Sequence, residues 1–411
     1  MTDGTLLPPG ASRDARLLLT ARGLRAFADG FISLLLPFYL TAIGFQPFEV
    51  GAITTATLLG SGVLTLLIGL YAHRLGLGRL LTAAALLMFA TGAGFASFSG
   101  FWPLLVVAAV GPMNPSAGDV SVFLPLEQTL LARAADDRRR TALFARYNLV
   151  GALVGALGAL AAGLPALLAQ LSGIDPMDSL KAMFWLYGGV GLAVLLIYRQ
   201  LGPRAGGTAA PAAAPLGRSR RIVYTLAALF SVDAFAGGLA VQSLLALWLL
   251  QRFDLSIEAT ASIFFWAGLL TALSFLAAAP LARRIGLINT MVFTHLPSNV
   301  FLMLVPLMPN LPLALLFLLL RSALSSMDVP ARSSYVMAIV TPGERPAAAS
   351  VTAVPRSLAS SLGPLLAGYL LGVSAFGWPL VLCGALKIGY DLALLKMFRA
   401  LRPPEERDSA P

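Results

Sequence analysis

Apolar stretches of about twenty residues or more recur twelve times along this 411-residue chain, with clusters of arginine between them. Each is long enough to cross the ~30 Å hydrocarbon core of a bilayer as a helix. Backbone amides have no water to bond to in lipid, so only helices and closed barrels can span it. The runs are continuous and rich in Leu and Ala, whereas barrel strands are short segments of alternating polarity. Composition agrees: 58% of residues are apolar and only 12% charged, against roughly 25% charged in soluble domains. A soluble globular protein is excluded, and the predicted class is an all-α polytopic membrane protein.

Breaking the runs at charge and Gly/Pro clusters predicts spans over residues 23–45, 48–72, 79–99, 102–132, 141–170 and 180–201. A second set follows at 222–250, 257–282, 288–308, 311–340, 347–373 and 378–398. Between the sets, residues 202–221 are rich in Pro, Gly, Ala and Arg, the composition of a flexible linker. The expected organisation is a tail over 1–22, a six-helix bundle over 23–201, the linker, a second six-helix bundle over 222–398, and a tail over 399–411. Arginines before span 1, between spans 2 and 3 and spans 4 and 5, in the linker, and in the matching places of the second half all fall on one side. The opposite loops hold only Lys181 and Arg252 as bases. Basic loops mark the cytoplasmic face, so both termini and the linker are expected there, with the chain multi-pass in the inner membrane. The net charge of +10 is then a topology signal, and no nucleic-acid partner is expected.

One cysteine, Cys383, and two histidines, His73 and His295, leave no donor set for a disulfide framework or a metal centre. No phosphate-cradling G-x-x-x-x-G-K-[ST] loop is present. No cofactor and no metal are expected.

An internal repeat lies at an offset of about 205 to 210 residues. Gly69–Gly76 falls on Ala279–Gly286, Gly118–Ser121 on Met327–Pro330, and Asp137–Asn148 on Gly343–Val354. Parallel six-span repeats related by an axis along the membrane normal are an architecture in which two bundles rock about a central site.

On these features the chain resembles the major facilitator superfamily of secondary transporters over roughly residues 23–398. The family's loop motif, G-x-L-A-D-R-x-G-R-R, is matched by Gly69, Ala72, Arg74 and Gly76. His73 stands at its acidic position, and Arg283, beside Arg284, stands there in the second-half copy. These residues are expected to form a cytoplasmic gate. Gly151, Gly155 and Gly158 resemble the span 5 glycine motif of drug:proton antiporters, with Ala156 in place of its proline, and Gly363, Pro364 and Gly368 give a proline-bearing version in span 11. The same glycines permit close helix packing.

The resemblance implies two pseudo-symmetric six-helix bundles with spans 1, 4, 7 and 10 lining a central cavity. A charge in hydrocarbon costs at least ~2.5–3.5 kcal/mol and calls for a partner or a watery cavity. Asp233 and Arg321, both near mid-depth by residue count, are the first candidate pair to face one another. Arg25 and Asp29, at i, i+4, share a face of span 1, as a site whose charge answers to which side is open or as a local ion pair. Asn114 precedes Pro115 in span 4, where the helix is expected to break. Asp119 and Asp328 are repeat mates, read as a gate or as part of the binding site. Arg356 either meets an anionic group or satisfies Asp328, Lys387 and Asp391 read as an i, i+4 structural pair, and His295 beside Pro297 as a satisfied histidine in a kinked helix.

The function expected is alternating-access transport driven by the proton gradient, exporting a small organic or amphipathic compound. Uptake of a metabolite anion is the alternative and a membrane-embedded enzyme a remote one. Substrate and membrane lipids are the expected partners, with the monomer as the working unit.

Overall fold

The structure, a computed structural model, describes residues 12–71, 75–116, 121–134, 137–202, 216–217, 219–341 and 344–399. Among them every regular element is helical: sixteen α-helices and one 3-10 turn, Val305–Leu307. Nine helical stretches of the described residues are long and apolar enough to cross a membrane. Three further helical segments stand where the sequence places the remaining spans, and each carries charge or a break: Phe101–Val110 with Phe123–Ala134, Arg345–Val373, and Trp378–Phe398.

The chain divides into two compact units, one drawn from Met1–Pro211 with Leu255–Phe265 and the other from Ala212–Asp254 with Trp266–Pro411. The first holds α1 (Arg13–Ala42), α2 (Pro47–Tyr71), α3 (Leu77–Ser97), α4 (Phe101–Val110), α5 (Phe123–Ala134), α6 (Asp137–Ala161), α7 (Leu164–Ser172) and α8 (Pro176–Tyr198). Helix α11 (Ile257–Ile285) begins in the segment grouped with it. The second unit holds the rest of α11 together with α9 (Arg220–Leu239), α10 (Gln242–Phe253), α12 (Leu287–Leu304), α13 (Leu311–Leu324), α14 (Asp328–Ile339), α15 (Arg345–Val373) and α16 (Trp378–Phe398).

Helix ends follow the local chemistry. The Ser12 hydroxyl accepts from the Ala15 amide at 3.2 Å, satisfying an amide that has no partner in the first turn. Helix α1 therefore starts at Arg13, well before the residue 23 boundary expected from hydropathy alone; Ala15, Leu18 and Leu19 are buried and carry the helix through the basic segment. Asp175 and Asn310 cap α8 and α13 in the same way. Gly173, at φ +68°, closes α7 in the left-handed conformation that glycine adopts without a steric cost.

Both fourth spans are interrupted. Helix α4 ends at Gly111, whose backbone is extended, and the break holds Asn114 and Pro115 before α5 resumes at Phe123. In the second unit the break lies between Leu324 and Asp328, with Pro330 in the first turn of α14, where its missing amide costs nothing.

The same helix pairs form the core of each unit. Helix α1 packs on α6 as α9 packs on α15, and α3 packs on α8 as α12 packs on α16. A methyl added at Gly158 would collide with the Phe27 backbone, and one at Gly363 with the backbone of Gly238. These are backbone-to-backbone crossings of the kind small residues permit in lipid. Elsewhere on α6 the fit is looser: a methyl at Gly155 would lie 3.6 Å from the Ala26 carbonyl, whereas one at Gly151 would press on the Arg22 guanidinium. Gly368 is buried within α15. Leu157, Leu160, Leu164, Leu168 and Leu171 stand exposed along α6 and α7, an apolar face suited to hydrocarbon and not to water.

Candidate functional site

In the first unit, four helices converge on one carboxylate. Glu127 of α5 is fully buried and forms an ion pair with Arg25 of α1, itself 1% exposed. The Tyr147 hydroxyl of α6 donates to its Oε2 and the Tyr198 hydroxyl of α8 donates to Oε1 at 2.6 Å. The Arg25 guanidinium also lies over the Phe123 ring, 4.2 Å from its centroid. A buried ion pair holds only where its remaining lone pairs are met, and the two tyrosines meet them.

Arg25 pairs with Glu127 and forms no ion pair with Asp29, so of the two readings of Arg25 and Asp29 the local ion pair does not hold. A pair along one helix is worth only a few tenths of a kcal/mol, whereas Glu127 arrives with three donors in place. Asp29 remains buried on α1, near Arg25, Arg22 and Tyr187 electrostatically. Among the described residues its carboxylate accepts no hydrogen bond and forms no ion pair.

In the second unit a larger network crosses α9, α12, α14 and α16. Asp233 accepts from Lys387 Nζ at 2.6 Å and lies 3.2 Å from Arg332 Nη1. Arg332 also pairs with Asp328 one turn before it. On the far side, His295 Nδ1 lies 2.9 and 3.1 Å from the two oxygens of Asp391, and Asn299 donates to Asp391 Oδ2 at 3.1 Å. His295 Nε2 faces Asp233 Oδ1 at 3.9 Å.

The network replaces several sequence expectations. Asp233 forms no ion pair with Arg321; Lys387 and Arg332 take the carboxylate instead. Lys387 and Asp391 do not pair with each other, since Lys387 reaches α9 and Asp391 reaches α12. His295, expected to be a satisfied histidine in a kinked helix, lies between the two carboxylates. Asp328 pairs with Arg332, and Arg356 is half-buried on α15.

Of the other candidates, Asn114 is buried and its Oδ1 accepts from the Ser116 amide and hydroxyl. Gly69 lies in α2, Gly76 precedes α3 as its cap, and Arg283 and Arg284 are exposed in the last turn of α11. Asp119, His73 and Arg74 lie outside the described residues. Outside the helical spans, Glu344 accepts from the Ser219 hydroxyl at 2.7 Å, the Thr341 hydroxyl at 2.8 Å and the Gly217 amide. These donors hold its carboxyl down to about 2, because they favour the charged form, and tie the starts of α9 and α15 together.

Glu127, Lys387, Asp391, His295 and the two tyrosines were not singled out as site residues from sequence. One signal was present. The spacing from Arg25 to Gly30 equals that from Asp233 to Gly238, and the spacing from Glu127 to Gly158 equals that from Arg332 to Gly363. The ion pair and the glycine crossing therefore repeat together, with the sign of each charge exchanged.

A family model described as Major Facilitator Superfamily matches residues 18–321. A relative from Saccharomyces cerevisiae, described as uncharacterized membrane protein YJR124C, is 26% identical over 94% of this chain and 94% of its own length. Among solved structures, a D-xylose-proton symporter superposes with a TM-score of 0.74 at 14% identity, covering 93% of this chain and 97% of the other. The nucleoside transporter NupG, as its D323A mutant, gives 0.73 at 14% identity over 94% and 100%. At such identities these two likenesses speak to the fold alone.

Proposed function

Because the chain belongs to the major facilitator superfamily, whose members are membrane transporters, we propose that it is a proton-coupled secondary transporter with Asp29 as its proton carrier. The observation that carries this reading is the isolation of Asp29. It is a buried acid that neither bonds nor pairs with any described residue, beside an arginine already committed to Glu127. An isolated carboxylate inside the membrane is costly when charged, so its protonation is coupled to whether water reaches it. Asp233, held by Lys387 and Arg332, serves as a structural anchor in this scheme. The substrate proposed is a small organic or amphipathic compound and the direction export, which rests on the partial glycine motif Gly151, Gly155 and Gly158. The inner membrane, with both termini on the cytoplasmic side, is the location that the arginine-rich loops support.

The test uses liposomes holding the purified protein under an inside-acid pH gradient, with lumenal pH followed as amphipathic cations and organic anions are added in turn. Some compound should dissipate the gradient through the wild type, and Asp29→Asn should abolish that flux while still equilibrating labelled compound. Proton movement at the wild-type rate through the Asp29→Asn protein would remove Asp29 from the scheme.

A further inference from the structure

Helices α1 and α9 are repeat mates that part company at one point. Ala26, Phe27, Ala28 and Gly30 fall on Ala234, Phe235, Ala236 and Gly238, and further on Ser33, Leu34 and Leu35 fall on Ser243, Leu244 and Leu245. Between the glycine and the serine the second copy has two residues more. Two extra residues turn an α-helix by about 200°, so one continuous helix cannot keep both the glycine crossing and the face beyond it. Helix α1 runs through this point unbroken, and the Ser33 hydroxyl donates to the Gly30 carbonyl at 2.9 Å. In the second unit α9 ends at Leu239 and α10 begins at Gln242. Ser243 there is fully buried, and its hydroxyl has no hydrogen-bond partner.

Val241 stands about 30 Å along the helix path from Arg221 and about 17 Å from Arg252, which places the interruption inside the ~30 Å hydrocarbon core. The opening turn of α10 is short of acceptors there. No side chain caps it, and its first amide with an internal acceptor is that of Leu245, bonded to the Val241 carbonyl at 2.9 Å. The amides of Gln242, Ser243 and Leu244 therefore have no acceptor within the helix, and among the described residues none of them donates elsewhere. At the start of α5, by contrast, the Ser121 hydroxyl accepts from the Phe123 amide at 3.3 Å. Orphaned buried amides are rarer than under-satisfied carbonyls, so the unmet demand is for an acceptor. Three amides and a hydroxyl in one turn, at the positive end of a helix, suit a group with two oxygens and a negative charge. Gln242 alone of residues 238–245 is part-exposed, which gives such a group its way in. We propose that this interruption binds the carboxylate of the organic compound that the protein carries, a proposal that rests on the transport reading above.

The test reads binding at rest, as the thermal unfolding midpoint of the full-length protein in detergent. Acetate, benzoate and phenylacetate are each compared with the uncharged amide of the same skeleton. At least one carboxylate should raise the wild-type midpoint where its amide does not. Ser243→Ala removes a hydroxyl that has no partner, so without ligand this variant should be as stable as wild type or more so. It should bind the same carboxylate about tenfold more weakly, the loss of one hydrogen bond. Ser33→Ala, in the bonded repeat mate, should leave the carboxylate's effect unchanged. If no carboxylate outdoes its amide, or if the shift survives whole in Ser243→Ala, water alone fills the interruption and the proposal is overturned. The midpoint depends on neither gradient nor flux, and Asp29→Asn should keep the shift. A carboxylate that binds here yet moves no protons would therefore overturn the proton scheme and leave this site standing.

Discussion

The two units solve the same problem with opposite polarity. In the first, the arginine is on α1 and the acid on α5; in the second, the acid is on α9 and the arginine on α14. Each pair sits the same number of residues from a glycine crossing, Gly30 with Gly158 and Gly238 with Gly363. The surroundings differ more. Glu127 is completed by two tyrosine hydroxyls, which are neutral donors, whereas Asp233 is completed by Lys387 and approached by His295. Among the described buried carboxylates, Asp29 in the first unit forms no ion pair and Asp391 in the second lies against a histidine. A repeat preserves the place where charge is buried. It does not preserve which charge is used or how the remainder is handled.

The largest effect should come from stripping one side of a lock. Asp233→Ala leaves Lys387 and Arg332 buried without their carboxylate, and should cost about 3–5 kcal/mol in unfolding measured in detergent. Glu127→Ala should cost a similar amount, and a loss below about 1 kcal/mol in either would mean that the pair is not buried as described. The exchange of polarity is tested by Arg25→Glu combined with Glu127→Arg, which gives the first unit the second unit's arrangement. The double variant should recover part of the loss of its singles but not all, because Tyr147 and Tyr198 would then donate toward another donor. Full recovery would mean that the tyrosines contribute nothing to the choice of sign.

Next in size is the glycine crossing. Gly158→Val and Gly363→Val should each destabilise by about 1–3 kcal/mol through overpacking and stop transport, while Gly155→Ala should be close to neutral; equal effects at 155 and 158 would contradict the close approach at Phe27. The smallest effect is expected at Glu344. Its folded value near 2 lies below the ordinary 4.5, so its contribution is complete above pH about 4.5 and is lost as pH falls toward 2. Wild type should lose stability across that window relative to Glu344→Gln, and parallel acid profiles would show that the contacts to Ser219 and Thr341 do not hold α9 to α15.

The fold was legible because hydrocarbon imposes its pattern locally. Run length, charge placement and the repeat offset each act on one segment at a time, and they gave the helical class and the break at Asn114 and Pro115, but not the interruptions at Ala240 and between Leu324 and Asp328. The start of α1 was missed because Arg13–Arg22 reads as polar by hydropathy while Ser12 caps it and its leucines bury. The site was legible only in part. Asp233, Asp29, Arg25 and Asp328 stand out as charges inside apolar runs, and so do Lys387 and Asp391, but depth along a helix says nothing of azimuth. Asp233 and Arg321 match in depth by residue count and still form no ion pair.

Sequence by itself thus determined that the chain lies in a membrane, that it is helical, that it is a repeat, and where its buried charges occur along each helix. Tertiary structure alone decided who partners whom: Arg25 with Glu127 and not Asp29, Asp233 with Lys387 and Arg332 and not Arg321, His295 with Asp391. The physical reason is that insertion energy depends on each residue's own transfer into lipid and adds along the chain. Pairing energy depends on the rotation and contact of separate helices, and these are fixed by crossings such as Gly30 on Gly158 that bring distant segments together.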